Sequence, residues 1–275
     1  MTLRLLLLMV TVDLCSALCL NGCSCTTTSI TCNGLTSIPT LAFPDVTSLR
    51  FNNINSNIPS NAFRSMPKLE SITISNGNIS SIAPCAFSAI PAKSITISRV
   101  RIGTIASGAF RDLNNVARRI SINNGQIGLI SSNAFYRLSN IMSINIQRNN
   151  ISTIQTYAFN RITNSRTFYF YYNNVTNLNS YAFASLDQTS FSSTSYFYRG
   201  SIMNVGCKAL DGLKSVSYVT LRCDCDMVPL IQGTTPLGYV HCFDKTQLYD
   251  VISGSRSNCT QPTITEPLVC PNVQK

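Results

Sequence analysis

The sequence predicts an α/β-type solenoid dominated by β structure and closed by a disulfide cap at each end. Three observations predict it. An Ala-Phe dipeptide recurs at a near-constant interval through the middle of the chain. An alternating apolar pair precedes each copy by a near-constant offset. The twelve cysteines gather at the ends: residues 15–32 hold five, residues 207–270 hold six, and Cys85 stands between. Staples flanking a cysteine-poor middle mark capped ends, not a uniformly stapled mini-protein. With 44% hydrophobic and only 12% charged residues, 275 residues have ample material for a core.

Residues 1–17 read as a signal peptide. Arg4 gives a weakly positive start, residues 5–12 are apolar, and Cys15-Ser16-Ala17 puts small residues where signal peptidase cuts. The apolar run is too short to span a bilayer, and Asp13 interrupts it. No later stretch is apolar enough to span, and residues 267–275 lack the hydrophobic tail of a lipid-anchor signal. The expected product is secreted and extracellular, where disulfides persist. Four N-glycosylation sequons, at Asn78, Asn150, Asn174 and Asn258, agree with export.

The repeats follow. Ala62-Phe63, Ala86-Phe87, Ala109-Phe110, Ala134-Phe135, Ala158-Phe159 and Ala182-Phe183 lie 24, 23, 25, 24 and 24 residues apart, and Ala209-Leu210 continues the series 27 residues on. A fixed period in the twenties indicates a solenoid. The pairs Ile72/Ile74, Ile95/Ile97, Ile120/Ile122, Ile144/Ile146 and Phe168/Phe170 alternate as a strand with one buried face does. Five residues beyond each pair stands Ile79, Ile102, Ile127, Ile151 or Val175; three further on stands Ile82, Ile105, Ile130, Ile154 or Leu178. One unit, a strand and a return loop, cannot bury these residues alone. Stacked units form a continuous parallel sheet over one core. The offsets are too constant for a generic sandwich or barrel with strands every 24 residues.

The most regular unit (Ile144, Ile146, Asn149, Ile151, Ile154, Ala158-Phe159, Ile162) resembles the leucine-rich repeat, with isoleucine largely replacing leucine in the strand. The resemblance implies a curved horseshoe whose parallel sheet lines a concave face. It covers nearly the whole mature chain: a cysteine-rich N-terminal cap over residues 18–45, about seven repeats over 46–221, a C-terminal cap over 222–270 and a tail over 271–275. Asn149 and Asn173 stand where the family uses an Asn side chain to satisfy backbone groups at the turn after the strand. The equivalent positions hold Gly77, Val100, Gly125 and Gly200, so a looser turn is expected there. The first unit (Leu49, Phe51, Ile58) and the last (Phe197, Ile202, Val205) depart from the pattern, as terminal repeats do.

Cys19-x3-Cys23-x-Cys25-x6-Cys32 resembles the N-terminal cap of extracellular leucine-rich-repeat proteins, and Cys223-Asp224-Cys225 with Cys242 and Cys259 or Cys270 resembles their C-terminal cap. The resemblance implies pairs Cys19 with Cys25, Cys23 with Cys32, Cys223 with Cys242, and Cys225 with Cys270 or Cys259. The alternative for Cys-x-Cys pairs is zinc; export, the lack of partner histidines and the need to cover the solenoid ends favour disulfides. No metal or cofactor is implied. Loss of Cys15 with the signal leaves eleven cysteines, so at least one is unpaired or joins another chain. Cys85 is expected as a small buried residue of the stack, with an intermolecular bridge as the alternative.

In such a horseshoe, residues flanking and between the apolar pairs point outward from the concave face. They shift along the chain from Ser71, Thr73, Ser75, Ser94, Thr96 and Ser98, through Arg119, Ser121 and Asn123, to a candidate ligand-binding set: Asn145, Gln147, Arg148, Tyr169, Tyr171, Tyr172, Tyr196, Tyr198 and Arg199. Tyr and Arg dominate binding hot spots, although Tyr is also simply a good strand residue. Residues 48–214 carry sixteen Lys/Arg against four Asp/Glu, a net +12. Such an excess suits acidic glycans, anionic surfaces or acidic proteins where it is clustered, and where it is dispersed it only keeps the protein soluble; nucleic acid is not expected outside the cell, and no nucleic-acid motif occurs.

Catalysis needs convergent acids, bases or nucleophiles. The only His, His241, adjoins Cys242, and the only Glu residues are Glu70 and Glu266. Neither a nucleophile elbow, a phosphate loop nor a zinc-protease motif is present. Asp224 and Asp226 flank Cys225 but point opposite ways, a poor cation cage. An enzyme is not expected. Two classes remain: a secreted binder of an extracellular protein or acidic glycan through the concave face, or a structural matrix or accessory subunit holding a permanent, disulfide-linked or obligate partner.

Overall fold

Alternating Ile and small hydroxyl residues build strands here because β-branched side chains fit a pleated, half-buried surface. The computed structural model describes residues 19, 21–38, 43–114, 119–186, 194–206, 208–222 and 237–242. In the N-terminal cap, β1 (Cys23–Cys25) and β2 (Ser29–Asn33) form an antiparallel pair. The first coils supply β3 (Ser48–Asn55), β4 (Ser71–Ile82), β5 (Phe87–Ser88), β6 (Ser94–Ile105) and β7 (Phe110–Arg111). The middle coils supply β8 (Arg119–Asn123), β9 (Gln126–Ile130), β10 (Phe135–Tyr136), β11 (Ser143–Gln147), β12 (Asn150–Ile154) and β13 (Phe159–Asn160). The last coils supply β14 (Thr167–Leu178), β15 (Thr194–Val205), β16 (Ser215–Leu221) and β17 (Val240–Cys242).

These strands form two sheets. Thirteen belong to a long sheet that is parallel from β2 onward, and the two-residue strands β5, β7, β10 and β13 form a second parallel sheet on the return side of each coil. Register is like on like: Ile72 opposes Ile95, Ile95 opposes Ile120, Ile120 opposes Ile144, and Ile144 opposes Phe168. At the next step Phe168 opposes Ser195, a buried polar residue whose hydroxyl accepts the Lys214 N–H at 2.8 Å.

No helix occurs among the described residues, which corrects the α/β-type expectation to an all-β solenoid. The reason is length. Four of the long strands run twelve residues each, half of a coil of about 24. The remainder must turn, cross the core as Ala-Phe, form a two-residue strand and turn again, which leaves no room for helical turns.

The core is a column of rings. Phe63, Phe87, Phe110, Phe135, Phe159 and Phe183 stack with centroids 5.2, 4.7, 4.8, 4.9 and 5.1 Å apart, near the spacing of neighbouring strands. All six are buried. The Ala before each Phe is buried too, and the residue before that Ala takes a left-handed backbone at Asn61, Cys85, Gly108, Asn133, Tyr157, Tyr181 and Lys208. A second left-handed corner recurs within the long strand at Asn53, Asn76, Arg99, Asn124, Arg148, Tyr172, Arg199 and Tyr218. A left-handed non-glycine residue costs roughly 1–2 kcal/mol, so many of them persist only because the stacked coils above and below over-determine the path.

The asparagine expectation holds, and the looser-turn expectation fails at Gly77, Val100 and Gly200 while the strand does break at Gly125. The Asn149 side-chain amide donates to the Ile122 and Gln147 carbonyls at 3.0 Å each, and its oxygen accepts the Gly125 N–H at 3.0 Å. Asn173 repeats the arrangement one coil on, donating to the Ile146 carbonyl at 2.8 Å and accepting the Asn149 N–H at 2.9 Å. Where the position is Gly77, Val100 or Gly200, the strand runs unbroken in register through it. At Gly125 and Asn149, where a side chain takes over a backbone donor, the long strand splits into two segments. The last unit is likewise more regular than its sequence implied, with β15 paired to β14 over ten positions.

The N-terminal cap carries both expected disulfides, Cys19–Cys25 and Cys23–Cys32. Its strand β2 opens the long sheet by pairing with β3, so the cap covers the first coil. Cys85 is buried at a left-handed corner but is disulfide-bonded, which corrects its reading as a lone residue of the stack. At the far end β17 adds a strand to β16. The signal peptide, Cys223, Cys225, Cys259 and Cys270 lie outside the described residues. Among the described residues, no helix is long and apolar enough to cross a membrane.

Phe159 touches rings on three sides: Phe135, Phe183 and, edge-on, Phe168. Phe159→Ala is expected to destabilise the fold by about 3–5 kcal/mol, read as a lower thermal midpoint and reduced export of the variant. Asn149→Ala strands the Gly125 N–H and the Ile122 carbonyl, and is expected to cost about 1–3 kcal/mol in the same melting measurement.

Candidate interaction surface

Side chains that alternate with the buried Ile and Phe residues face outward from the first half of each long strand. In the early coils these are small. Ser71 donates to the Ser48 hydroxyl at 3.1 Å, and Ser75 donates to the Asn52 side-chain oxygen, so hydroxyls are partly consumed rung to rung. In the middle coils Arg119 is exposed and the Asn123 amide donates to the Ser121 hydroxyl at 3.0 Å. Asn145 and Gln147 follow in register, half-buried, and the Asn145 side-chain oxygen is buried without a hydrogen-bond partner.

In the later coils the face becomes aromatic. Parallel register puts Tyr169 beside Tyr196 and Tyr171 beside Tyr198. The Tyr169 and Tyr171 rings stack at 5.1 Å, Tyr169 and Tyr196 lie 6.5 Å apart, and Tyr171 meets Tyr198 edge to face at 5.7 Å. The run extends past the predicted residues. Tyr198 meets Tyr218 at 5.1 Å, and Tyr218 stacks on Tyr239 at 5.2 Å. Tyr218 and Tyr239 are the most exposed of the set, at 47% and 64%. Tyr218 could have been found: it stands two residues after Val216, as Arg199 does after Phe197 and Tyr172 after Phe170. Tyr239 falls beyond the last regular period, and no spacing points to it.

Three predicted residues occupy a different place from the one expected. Arg148, Tyr172 and Arg199 are not on the outward face of a strand but at its left-handed corner, on successive coils, with Tyr218 next in the row. There they interleave. The Arg199 guanidinium donates to the Tyr172 hydroxyl at 2.8 Å and lies 5.6, 5.5 and 5.8 Å from the ring centres of Tyr172, Tyr198 and Tyr218. Arg148 lies 5.6 Å from the other side of the row, over Tyr172. Cation–π contacts of this kind fix both partners. The geometry therefore joins Tyr169, Tyr171, Tyr172, Tyr196, Tyr198 and Arg199 into one patch with Tyr218 and Tyr239. Arg148 touches its edge, while Asn145 and Gln147 sit one coil away on the same face.

Crowding shows in the ionisation of the patch. The Tyr171 phenol is held above its ordinary range, first by burial, then by the repulsion its phenolate would feel from those of Tyr169, Tyr196 and Tyr198. Arg199 is held further into its charged range, chiefly by the hydrogen bond to Tyr172.

The sequons Asn78, Asn150 and Asn174 are exposed and stand within β4, β12 and β14, beyond the corner. The Asn174 amide donates to the Asn150 side-chain oxygen at 3.2 Å across adjacent strands. Asn258 lies outside the described residues. Of the residues weighed for catalysis, Glu70 pairs with Lys93 and His241 stands in β17 opposite Thr220; Glu266, Asp224 and Asp226 lie outside the described residues.

A family model described as BspA type Leucine rich repeat region matches residues 15–113 and 80–211, in six copies. No curated protein matches the chain.

The raised Tyr171 value has a consequence with a definite sign. The folded protein holds this proton more tightly than the unfolded chain, so its contribution to stability is full below the ordinary tyrosine value of 10.0 and is lost as pH rises through the raised one. Urea unfolding between pH 9 and 11 (roughly one unit either side of a free tyrosine) is expected to show stability falling with pH. The fall should be shallower in Tyr171→Phe.

Proposed function

The chain belongs to the BspA-type leucine-rich-repeat family, and on that footing we propose that it is a secreted, non-enzymatic binding module that holds an extracellular partner through the tyrosine–arginine patch of its long sheet. Leucine-rich repeats serve as a protein-interaction scaffold. The observation that carries the reading is the contiguous run Tyr169, Tyr171, Tyr196, Tyr198, Tyr218 and Tyr239, with Arg199 held against Tyr172, Tyr198 and Tyr218 at its edge. Tyrosine offers a large rigid area with a polar tip at low entropic cost, and ring-to-ring contact pre-organises that area before a partner arrives. Such residues supply the anchors of a protein interface. Early coils offer small outward side chains, some of them tied rung to rung as Ser71 is to Ser48 and Ser75 to Asn52, and present less to grip.

Export rests on the signal-peptide pattern and is supported by the two disulfides of the N-terminal cap and the exposed sequons. The competing reading is a structural subunit holding a permanent, disulfide-linked or obligate partner. Cys85 is disulfide-bonded and so is not the free thiol of that reading, but the odd count left by loss of Cys15 still supplies one.

The test compares three baits. Purified protein and its Tyr169/Tyr171/Tyr196/Tyr198→Ala variant are presented to extracellular proteins and glycans, with Thr73/Thr96→Ala as the control on the same sheet. The tyrosine variant is expected to export normally and to lose at least about 30-fold in affinity for the captured partner, while the threonine control binds as the parent does. Equal capture by parent and tyrosine variant would move the site elsewhere.

A further inference from the structure

A second surface lies on earlier coils, where the corner row and the row beyond it meet. The left-handed corner carries Arg99, Asn124, Arg148, Tyr172 and Arg199 in order, so arginine returns on every second coil. At the spacing of parallel strands, these guanidinium-bearing corners recur roughly every 9.6 Å along the solenoid. Two residues past the corner, Arg101, Gln126 and Asn150 stand in register on adjacent strands. Between the two rows is an open recess of about 500 Å³, walled by the arginines Arg99, Arg101 and Arg148 and the amides of Asn124, Gln126 and Asn150. Gly77 and Gly125 form part of its floor, and no side chain rises from either. A side chain at Gly125 would press against the Val100 carbonyl at 2.3 Å.

The recess is electrostatically unanswered. Among the described residues the ion pairs go elsewhere: Lys68 with Asp45, Lys93 with Glu70, and Arg111 and Arg137 with Asp112. Three guanidiniums therefore converge with no carboxylate among them, in a lining that exposes no large apolar side chain. A protein partner needs an apolar or aromatic core to its interface, and this recess offers none. Guanidiniums match sulfate and carboxylate oxygens with forked hydrogen bonds, and amides match hydroxyls. We propose that the recess walled by Arg99, Arg101 and Arg148 binds a linear anionic glycan, its sulfate or carboxylate groups on the arginines and its hydroxyls on the Asn124 and Gln126 amides. The regular recurrence of arginine along the corner suits a polymer whose charges also recur.

The site is independent of the tyrosine patch except at Arg148, so the decisive variant leaves Arg148 in place. All proteins carry Ser152→Ala, which removes the Asn150 sequon bordering the recess. Binding is measured by titration with heparin as the sulfated probe, hyaluronan as the carboxylate-only probe and poly-glutamate as the acidic-peptide probe, at low and high salt. The parent is expected to bind one or both polysaccharides, more weakly at high salt, and poly-glutamate at least tenfold more weakly. Arg99→Gln/Arg101→Gln is expected to lose about 100-fold, roughly tenfold for each charge-assisted contact. Arg50→Gln/Arg166→Gln, the same charge change at two exposed arginines elsewhere, is expected to lose less than about threefold. The tyrosine quadruple variant should keep polysaccharide affinity, which separates this site from the patch. Heparin and hyaluronan distinguish a sulfate from a carboxylate source. Absence of polysaccharide binding by the parent, equal losses in the two arginine pairs, or poly-glutamate binding as tightly as heparin would each overturn the proposal.

Discussion

The phenylalanine column is the interaction on which the rest of the molecule depends. From Phe63 to Phe183 each ring rests on the next at 4.7–5.2 Å, and that spacing is the one parallel strands require. A ring can stack this way only if each coil repeats the path of the coil before it. The buried Ala ahead of each Phe and the Ile ladder opposite obey the same demand. Hence core packing and backbone pairing reinforce one another: the coils cannot slip in register without breaking both.

Surface chemistry follows from that repetition. A corner that recurs at one position in every coil lines up whatever residues occupy it, and the corner of the long strand leaves its side chains exposed from Arg99 to Tyr218. Asparagine fills several of these corners because it tolerates the left-handed backbone. Where arginine and tyrosine fill them instead, they form the row Arg148, Tyr172, Arg199 and Tyr218. The cost of placing long side chains in a disfavoured backbone region is met by the stacked sheet. What the surface gains is a pre-set ladder of charge and aromatic area. Buried polar groups obey the same logic on the return side, where buried Arg111 is answered by Asp112 at 2.9 Å.

Much of this was legible from spacing. The Ala-Phe interval, the Ile pairs and their offsets point to the coils, and the Asn149 and Asn173 roles follow from the family resemblance. Tyr169, Tyr171, Tyr196 and Tyr198 were legible as outward residues because side chains alternate along a strand. Other features were not. Arg148, Tyr172 and Arg199 had the outward register but not the corner, since a left-handed residue leaves no mark when it is arginine or tyrosine. The α/β-type expectation fails because the length of β4, β6, β14 and β15 leaves no space for a helix in the rest of the coil. Cys85 stood alone in sequence, and a disulfide joins residues without regard to their separation in the chain.

The sequence by itself determined the repeat, its period, which side chains face the core, and the kinds of residue offered outward along the chain. These are local matters, set by alternation and by apolar spacing. Only the tertiary structure decided which outward residues become neighbours. Tyr171 and Tyr198 are 27 positions apart, as are Tyr172 and Arg199, and they meet because parallel stacking turns sequence separation into one strand spacing. The same stacking brings Arg99 and Arg101 to one recess with Arg148, two coils away. A binding surface on a solenoid is a property of columns, and columns exist only once the coils are stacked.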